Sequence, residues 1–395
     1  MTTERETSIG SATEGGRWTS DGEGSVPIEK DLESNQKSLQ GNRSVKFKTP
    51  FLLRFKATVF GINLGIGSQA LLWQQIGASP AMRFLQIPSG ISLAVWCVGV
   101  LLLFVIPVTY LLKLLVWPKA VRREFQHPIR TNFLIAPWWA ALLLCLGAPG
   151  EITDRIYGEG KSIHWGAALA FSIPLLASEM IMRYSHWIYG YEDRLTTTAN
   201  PACQIALKGN FISAIAFARA GWPDPALFML SVGLIHWLVV FNTLYMRPGK
   251  TQELPRPLTP LYFLLIAPPA VVATAWAEIQ GPGEFDRLSK GFTFASLGLF
   301  LVLAARGKIM FHWTFSFAWW GFVFPTAAVA VSFMLYADAM PDTWQRWVVR
   351  ALALFFWATS VAAFLVSSCV SLGKLCIGTL FPDDEVTESL LEEEQ

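Results

Sequence analysis

Charge is scarce in this sequence. Only 15% of its 395 residues are charged, while 53% are hydrophobic; a typical soluble domain carries about 25% charge. The 5 cysteines show no CxxC spacing and the 5 histidines are scattered, so no disulfide framework, metal site or cofactor is predicted. GxSxG, HExxH and Walker A motifs are also missing, and no catalytic residue is predicted. These absences exclude a disordered chain and a nucleic-acid partner, argue against an enzyme, and favour a polytopic membrane protein in a lipid bilayer.

Ten apolar stretches follow residue 50, each near the ~20 residues that cross a bilayer as a helix. They run over 51–74, 84–116, 130–149, 163–187, 200–222, 225–246, 258–279, 289–306, 310–336 and 343–376. The sequence therefore predicts an all-α membrane protein with ten transmembrane helices, called spans 1 to 10 in chain order. The five cysteines fall in these apolar stretches and are predicted to be small buried residues.

The charges divide the chain into three predicted domains. Residues 1–48 are rich in Gly, Ser, Glu and Thr and predict a disordered cytosolic tail, and residues 381–395 form a cytosolic tail with 7 acidic and no basic side chains. The transmembrane domain covers 49–380. Its residues 51–380 carry 24 basic and 14 acidic side chains, an excess that suits an anionic solute or anionic lipid. Lys and Arg concentrate in the loops after even-numbered spans, which predicts that both termini are cytosolic.

The odd-numbered spans contain most of the polar and helix-breaking residues. Span 1 holds Asn63 and Gln69, span 3 holds Pro137, span 7 holds Pro268 and span 9 holds Pro325. A breaker in a lipid-facing helix would leave backbone groups without hydrogen bonds, so such helices belong where protein or water satisfies them. We therefore expect five hairpins, with the odd spans in an inner ring and the even spans outside.

Charged residues inside the predicted spans give the most specific hypotheses about the function. Lys208 and Arg219 in span 5 are 11 residues apart, about three full turns, so they share one helix face with Ile212 and Ile215. If that face lines a pore, the two cations attract anions. Alternatively, Lys208 forms a structural ion pair with Glu179 of span 4, which lies at a similar depth, and Arg219 snorkels to the outer interface.

Span 9 carries an aromatic run that ends at Pro325. The proline removes one backbone hydrogen bond and permits a bend, and Phe324 stands directly before it near mid-span. A ring at a bend in a pore would block ions sterically and by dewetting. From the residues alone, ordinary packing of an aromatic side chain is the simpler interpretation.

Several segments, taken in order, resemble the plant slow-type anion channels, a family grouped with bacterial tellurite-resistance and C4-dicarboxylate transporters. The similarity covers about residues 51–382. The segments are 60–73 in span 1, 127–138 in span 3, 199–201 with 209–211 and 221–222 in span 5, 258–260 with 266–268 in span 7, and 317–320 with 324–325 in span 9.

The resemblance implies a quasi-fivefold arrangement of the five hairpins around a central pore. It also implies a plasma-membrane channel that assembles as a homotrimer or with related subunits and passes small inorganic anions, namely chloride, nitrate and, in some members, malate. The family's gating phenylalanine lies just before the proline of span 9, so the resemblance assigns Phe324 and Pro325 as the pore gate. The residues predicted to line the pore are Asn63, Gln69, Phe133, Pro137, Lys208, Ile212, Ile215, Arg219 and Pro268.

Two features depart from the best-known members of that family. Their long N-terminal tails are phosphorylated by protein kinases, whereas the tails here are short; Ser8 and Ser44, each near an arginine, are the predicted kinase sites. A lysine is also not typical at position 208, and the hypothesis is that Lys208 alters conductance or selectivity.

Two other functions stay open from the sequence. The chain is alternatively a proton-coupled dicarboxylate or anion carrier, for which Glu179 is the one acidic candidate inside the spans. It is also alternatively an electrically silent subunit that modulates a conducting relative.

Overall fold

The computed structural model describes residues 50–158, 163–183, 199–246, 256–307 and 315–382. Ser8, Ser44, the predicted N-terminal tail and most of the acidic C-terminal tail lie outside these ranges, as do short parts of spans 4 and 9. Regular structure within the described ranges is helical, with no strand.

One main helix overlaps each of the ten predicted spans. In chain order they are α1 Phe60–Ala78, α2 Ser89–Val116, α3 Ala136–Leu146, α4 Trp165–Arg183, α5 Cys203–Arg219, α6 Pro223–Tyr245, α7 Ala267–Gln280, α8 Arg287–Ala305, α9 Trp320–Asp338 and α10 Trp344–Ile377. Short helices cover Phe51–Arg54, Pro118–Gln126 and Gly150–Tyr157, and 3₁₀ segments cover Ala57–Val59, Pro80–Leu85, Arg130–Phe133, Arg256–Ile266 and Phe317–Trp319.

Seven helices among the described residues are long and apolar enough to cross a membrane, or eight if the bent pair of Pro118–Gln126 and Arg130–Leu146 is one span. Helices α1, α3 and α5 do not meet that criterion individually, and α7 meets it only together with the 3₁₀ segment before it, as Pro257–Gln280. Helix α1 carries glycine, asparagine and glutamine, α3 has only 11 residues, and α5 has 17 with a lysine among them. The chain is thus an all-helical membrane protein with about seven clearly apolar helices.

Burial separates the odd helices from the even ones. The most apolar stretches of α7 and α9 are 78% buried, whereas those of the even helices are only 17–28% buried. Helix α5 buries 15 of its 17 residues. This difference agrees with the predicted inner and outer sets. The prediction that the cysteines are buried is wrong for Cys97, Cys369 and Cys376, which are exposed on α2 and α10 because these helices turn an apolar face outwards.

The inner helices contact one another in a closed cycle. Helix α1 packs against α3, α3 against α5, α5 against α7, α7 against α9, and α9 against α1. Each inner helix also packs against the even helix that follows it in the chain. The centre of the molecule is therefore enclosed by five helices that all begin at the same end, here called the basal end.

Two of the inner helices begin with a proline in their first turn. Pro137 and Pro268 lie in the first turn of α3 and α7, directly after irregular or 3₁₀ backbone. A proline is tolerated in that turn because its missing N–H would have no intrahelical partner there. Pro325 instead lies inside α9, where it removes one backbone hydrogen bond one turn from the helix start.

Gly147, which ends α3, lies so close to α1 that no side chain fits. An added Cβ would overlap the backbone nitrogen of Leu71 and lie 2.7 Å from the carbonyl carbon of Ala70. Backbone atoms in a packed helix move less readily than a flexible side chain. We therefore expect Gly147→Ala to destabilise the protein by about 1–3 kcal/mol, measured by thermal unfolding in detergent.

Gly77→Ala is the matched control, because nothing lies within 4 Å of a Cβ added at this exposed position of α1. Alanine is the better helix former, so this variant is expected to be neutral or slightly more stable. Equal melting temperatures for the two variants would contradict the close packing of α3 on α1.

Candidate functional site

A small cavity lies at the centre of the inner ring. This central cavity measures about 20 Å³ and all five inner helices line it. Its lining residues are Ser68, Leu71, Leu143, Ile212, Ile215, Val271, Thr274, Phe324, Ala327, Ala328 and Val331. The two hydroxyls donate to backbone carbonyls of their own helices, Ser68 to Gly65 and Thr274 to Ala270. The wall is therefore apolar, and the volume suits about one water molecule, not a hydrated ion.

Phe324 forms one wall of the central cavity and is held from two sides. Its side chain is 3% exposed. The ring packs edge-on against Trp139 of α3, with centroids 4.9 Å apart, and Lys208 Nζ of α5 lies 5.1 Å from its centroid. Three different inner helices thus meet at this ring.

The predicted ion pair between Glu179 and Lys208 is not formed. Glu179 accepts a hydrogen bond from Asn210 Nδ2 and lies 3.2 Å from His236 Nδ1 of α6. Lys208 is fully buried, and its Nζ makes no hydrogen bond with the described part of the chain. The reason is rotational: Lys208 and Asn210 are about 200° apart around α5, so when Asn210 faces Glu179, Lys208 faces the other way.

Arg219 lies at the opposite end of the ring, where α5 ends. Its Nε donates to Glu278 Oε1 of α7 at 2.8 Å, and its Nη2 is 3.4 Å from Gln75 Oε1 of α1. Arg219 is therefore ion-paired with Glu278, and it lines neither the central cavity nor the basal cavity; its role in attracting anions stays a prediction. Its charge is neutralised by a partner that span 5 alone does not reveal.

The other residues predicted to line a pore divide between several surroundings. Ile212 and Ile215 line the central cavity. Gln69 donates to Ser360 of the outer helix α10 at 2.8 Å, so its amide points away from the centre. Asn63 is buried in α1, and neither atom of its amide is hydrogen bonded within the described ranges. Pro137 and Pro268 begin their helices and line neither the central cavity nor the basal cavity described next.

A second, larger cavity opens at the basal end of the ring. This basal cavity measures about 280 Å³. Phe133 is one of its walls, and its lining residues include Lys56, His127, Arg130 and Lys374 but no acidic residue from the described ranges. Arg130 is itself 3.7 Å from the buried carboxylate of Glu124. The lining segments precede α1, α3, α7 and α9 or follow α10. The described lining of the basal cavity is therefore more basic than acidic, which favours anions.

Sequence reasoning missed three buried residues that line neither cavity but make or lack notable contacts in the described structure. In the sequence Trp139 is the second of two consecutive tryptophans, and no pattern there predicts its contact with Phe324. Gln204 precedes Lys208 by one turn of α5 and is also fully buried without a hydrogen bond within the described chain; its signal was a polar residue on the same helix face. Glu124 of the short helix Pro118–Gln126 forms a buried ion pair with Lys113 at 2.9 Å.

Apolar outer helices around an inner ring with a central cavity define a multi-pass membrane protein of the transport class. Comparisons with known proteins identify the family within this class. The family model described as "SLAC1: Voltage-dependent anion channel" matches residues 54–383, and the chain belongs to this family of anion channels. The membership confirms the resemblance drawn from the sequence segments, and it confirms a non-enzymatic class.

Three relatives from Arabidopsis thaliana illustrate the similarity. The chain is 37% identical to the guard cell S-type anion channel SLAC1 over 85% of its own length and 58% of that protein. It is 38% identical to the S-type anion channel SLAH2 over 73% of its length and 54% of that protein. It is 33% identical to the S-type anion channel SLAH1 over 78% of both chains. The chain thus spans little more than half the length of the first two relatives.

Proposed function

We propose that the chain forms a passive channel for small inorganic anions such as chloride and nitrate, with Phe324 as its gate. The observation that carries this proposal is the central cavity, which all five inner helices line and which the Phe324 ring bounds. An apolar constriction of this width excludes ions by dewetting as well as by size. Pro325, directly after the ring, weakens the helix where a gate has to move.

The same proposal extends to the architecture. Ten membrane spans form five hairpins in a quasi-fivefold arrangement around the pore, and the closed cycle of contacts between α1, α3, α5, α7 and α9 supports it. Inner helices that are too short to span alone gain length from the segment before them. The 3₁₀ segment Arg256–Ile266 precedes α7 in this way, and Pro257–Gln280 together is long enough to cross a membrane.

We further propose that the basal end faces the cytosol, with both termini on that side of the plasma membrane. The basic side chains of the basal cavity support this orientation, because Lys and Arg concentrate on the cytosolic side of membrane proteins. The names of the relatives, S-type anion channels, support the substrate class. Assembly as a homotrimer or with related subunits, passage of malate, and kinase action at Ser8 and Ser44 are parts of the proposal that rest on family resemblance.

A proton-coupled carrier is the weaker alternative. Such a carrier needs a protonatable group that alternates between the two sides along the transport path. Glu179 is bonded to Asn210 and His236, between α4, α5 and α6, and it lines neither the central nor the basal cavity. The acidic residue that the carrier hypothesis requires is thus engaged away from the proposed pore.

Reversal potentials test the passive mechanism. For an anion-selective channel we expect a shift of about 60 mV for each tenfold chloride gradient, since tenfold is 1.4 kcal/mol and 100 mV is about 2.3 kcal/mol per charge. We expect no shift when the external pH changes by one unit at fixed chloride. Currents are recorded by voltage clamp from the unmodified chain or, if it is silent, from Phe324→Ala. A reversal potential that follows the proton gradient would overturn the channel in favour of the carrier.

A further inference from the structure

Two buried polar side chains stand together on the basal side of Phe324. Gln204 and Lys208 lie one turn apart on the same face of α5, and both are fully buried. Lys208 Nζ and both amide atoms of Gln204 have no hydrogen-bond partner within the described part of the chain. Buried polar groups are nearly always hydrogen bonded, and buried charges are paired. These two side chains therefore have an unused capacity to bind a ligand.

Their position relative to the plug is specific. Lys208 Nζ lies over the Phe324 ring, 5.1 Å from its centroid. Further along the same face of α5, Ile212 and Ile215 line the central cavity. Along this face, then, a polar pair lies before the ring and an apolar pair lies after it. Neither residue of the polar pair lines the central or the basal cavity, so the contact of Lys208 with the Phe324 ring is what links the pair to the plug.

The charge of the surroundings identifies the ligand. The donors are an ammonium and an amide N–H, and within the described ranges neither has an acidic side chain as a partner. A cation would be repelled there. A single small monovalent anion, the size of chloride or nitrate, supplies the opposite charge and the acceptors that a buried ammonium needs.

We propose that Gln204 and Lys208 form a binding site for one small inorganic anion, and that this anion opens the gate by displacing Phe324 from the Lys208 ammonium. The proposal rests on the function proposed above and adds a ligand-dependent step to it. The ring attracts the ammonium only through its quadrupole, whereas an anion offers a full charge at shorter distance. Once the ammonium is bound to the anion, the ring loses one of the two contacts that hold it.

Inside-out membrane patches test the site directly. Open probability is measured while cytosolic chloride is replaced by gluconate, with the external solution constant. We expect open probability of the unmodified channel to rise with cytosolic chloride. Lys208→Met keeps the length of the side chain without the charge; we expect it to lose this dependence and to be at least about tenfold more active at low chloride, because the ring has lost its cation.

The matched control is Lys290→Met, which removes another cation–ring contact of comparable distance, 5.2 Å to Tyr336, at the start of α8 away from the basal end. It should keep the chloride dependence. Gln204→Leu retains the ammonium and removes the amide, so it should shift the chloride dependence to several-fold higher concentration.

Thermal unfolding in detergent gives a readout independent of conduction. Chloride, compared with gluconate at equal ionic strength, should raise the melting temperature of the unmodified protein and of Phe324→Ala, since both keep the site, but not that of Lys208→Met. If Lys208→Met does not fold, Gln204→Leu replaces it in this comparison, and chloride should then raise the melting temperature less than in the unmodified protein.

The two proposals fail in different ways. If Phe324→Ala conducts while Lys208→Met retains the full chloride dependence and the chloride-induced melting shift, the anion site is refuted and the channel stands. If Phe324→Ala reaches the surface and is silent, the proposed function fails, whereas a chloride-induced shift that requires Lys208 would still support an anion site.

Discussion

Cells that express Phe324→Ala should carry a constitutive anion current in both chloride and nitrate, many times larger than that of the unmodified chain. The ring bounds the central cavity and is held by Trp139 and Lys208. An edge-on aromatic pair contributes about 0.5–1.5 kcal/mol and a desolvated cation–ring contact about 2 kcal/mol. Together they favour the closed position by about a hundredfold, and alanine removes both contacts with the obstacle itself.

Phe333→Ala is the matched control for this prediction. Phe333 lies on the same helix, is fully buried and stacks on Phe356 of the outer helix α10, so its ring points away from the central cavity. Both variants lose a buried aromatic ring and are expected to lose stability. Only Phe324→Ala should gain current. If Phe324→Ala is present at the surface and silent, the plug is refuted, and co-expression with a conducting relative would then test the modulatory-subunit hypothesis.

Glu124→Ala should cause a large loss of stability. Glu124 is 1% exposed. It pairs with Lys113 Nζ at 2.9 Å and accepts hydrogen bonds from Tyr110 Oη at 2.7 Å and the backbone N–H of Ala57 at 3.0 Å. Because its removal leaves the Lys113 ammonium buried without its counter-charge, we expect a loss of about 3–5 kcal/mol, seen as a lower melting temperature and little protein at the cell surface.

Two further variants separate the ion pair from a general effect of losing an acid. Glu151→Ala changes an exposed glutamate on the short helix Gly150–Tyr157 and should alter stability by no more than about 0.5 kcal/mol. The double variant Glu124→Met with Lys113→Met removes the buried ion pair and should recover part of the loss, but not all of it, since the Tyr110 hydroxyl and the Ala57 N–H stay without their acceptor. A Glu124→Ala protein as stable as the Glu151→Ala control would contradict this role.

The position of the ten helices was predictable because hydropathy is a local property of each segment. The division into inner and outer helices was predictable for a related reason. Glycine, proline, asparagine and glutamine in α1, α3, α7 and α9 would cost free energy if these helices faced lipid, whatever the fold of the other segments. These helices are the buried ones in the structure.

The partners of the buried charges were not predictable in the same way. The depth of Lys208 and Glu179 along neighbouring helices is readable from the chain, and it suggested an ion pair. Rotation of α5 about its own axis is not readable, and it turns Asn210 towards Glu179 and Lys208 towards Phe324. Similarly, Glu278 reaches Arg219 only because α7 packs beside α5.

The sequence by itself determined the class of protein, the helices, their layers and the position of Phe324 before Pro325. The tertiary structure alone decided that this ring bounds the central cavity, that Trp139 and Lys208 hold it, and that Gln204 and Lys208 have no partner within the described chain. The physical reason is geometric. Burial follows from the composition of one segment, whereas a contact between side chains depends on the rotation and depth of two helices, and a single residue of register turns a side chain by about 100°.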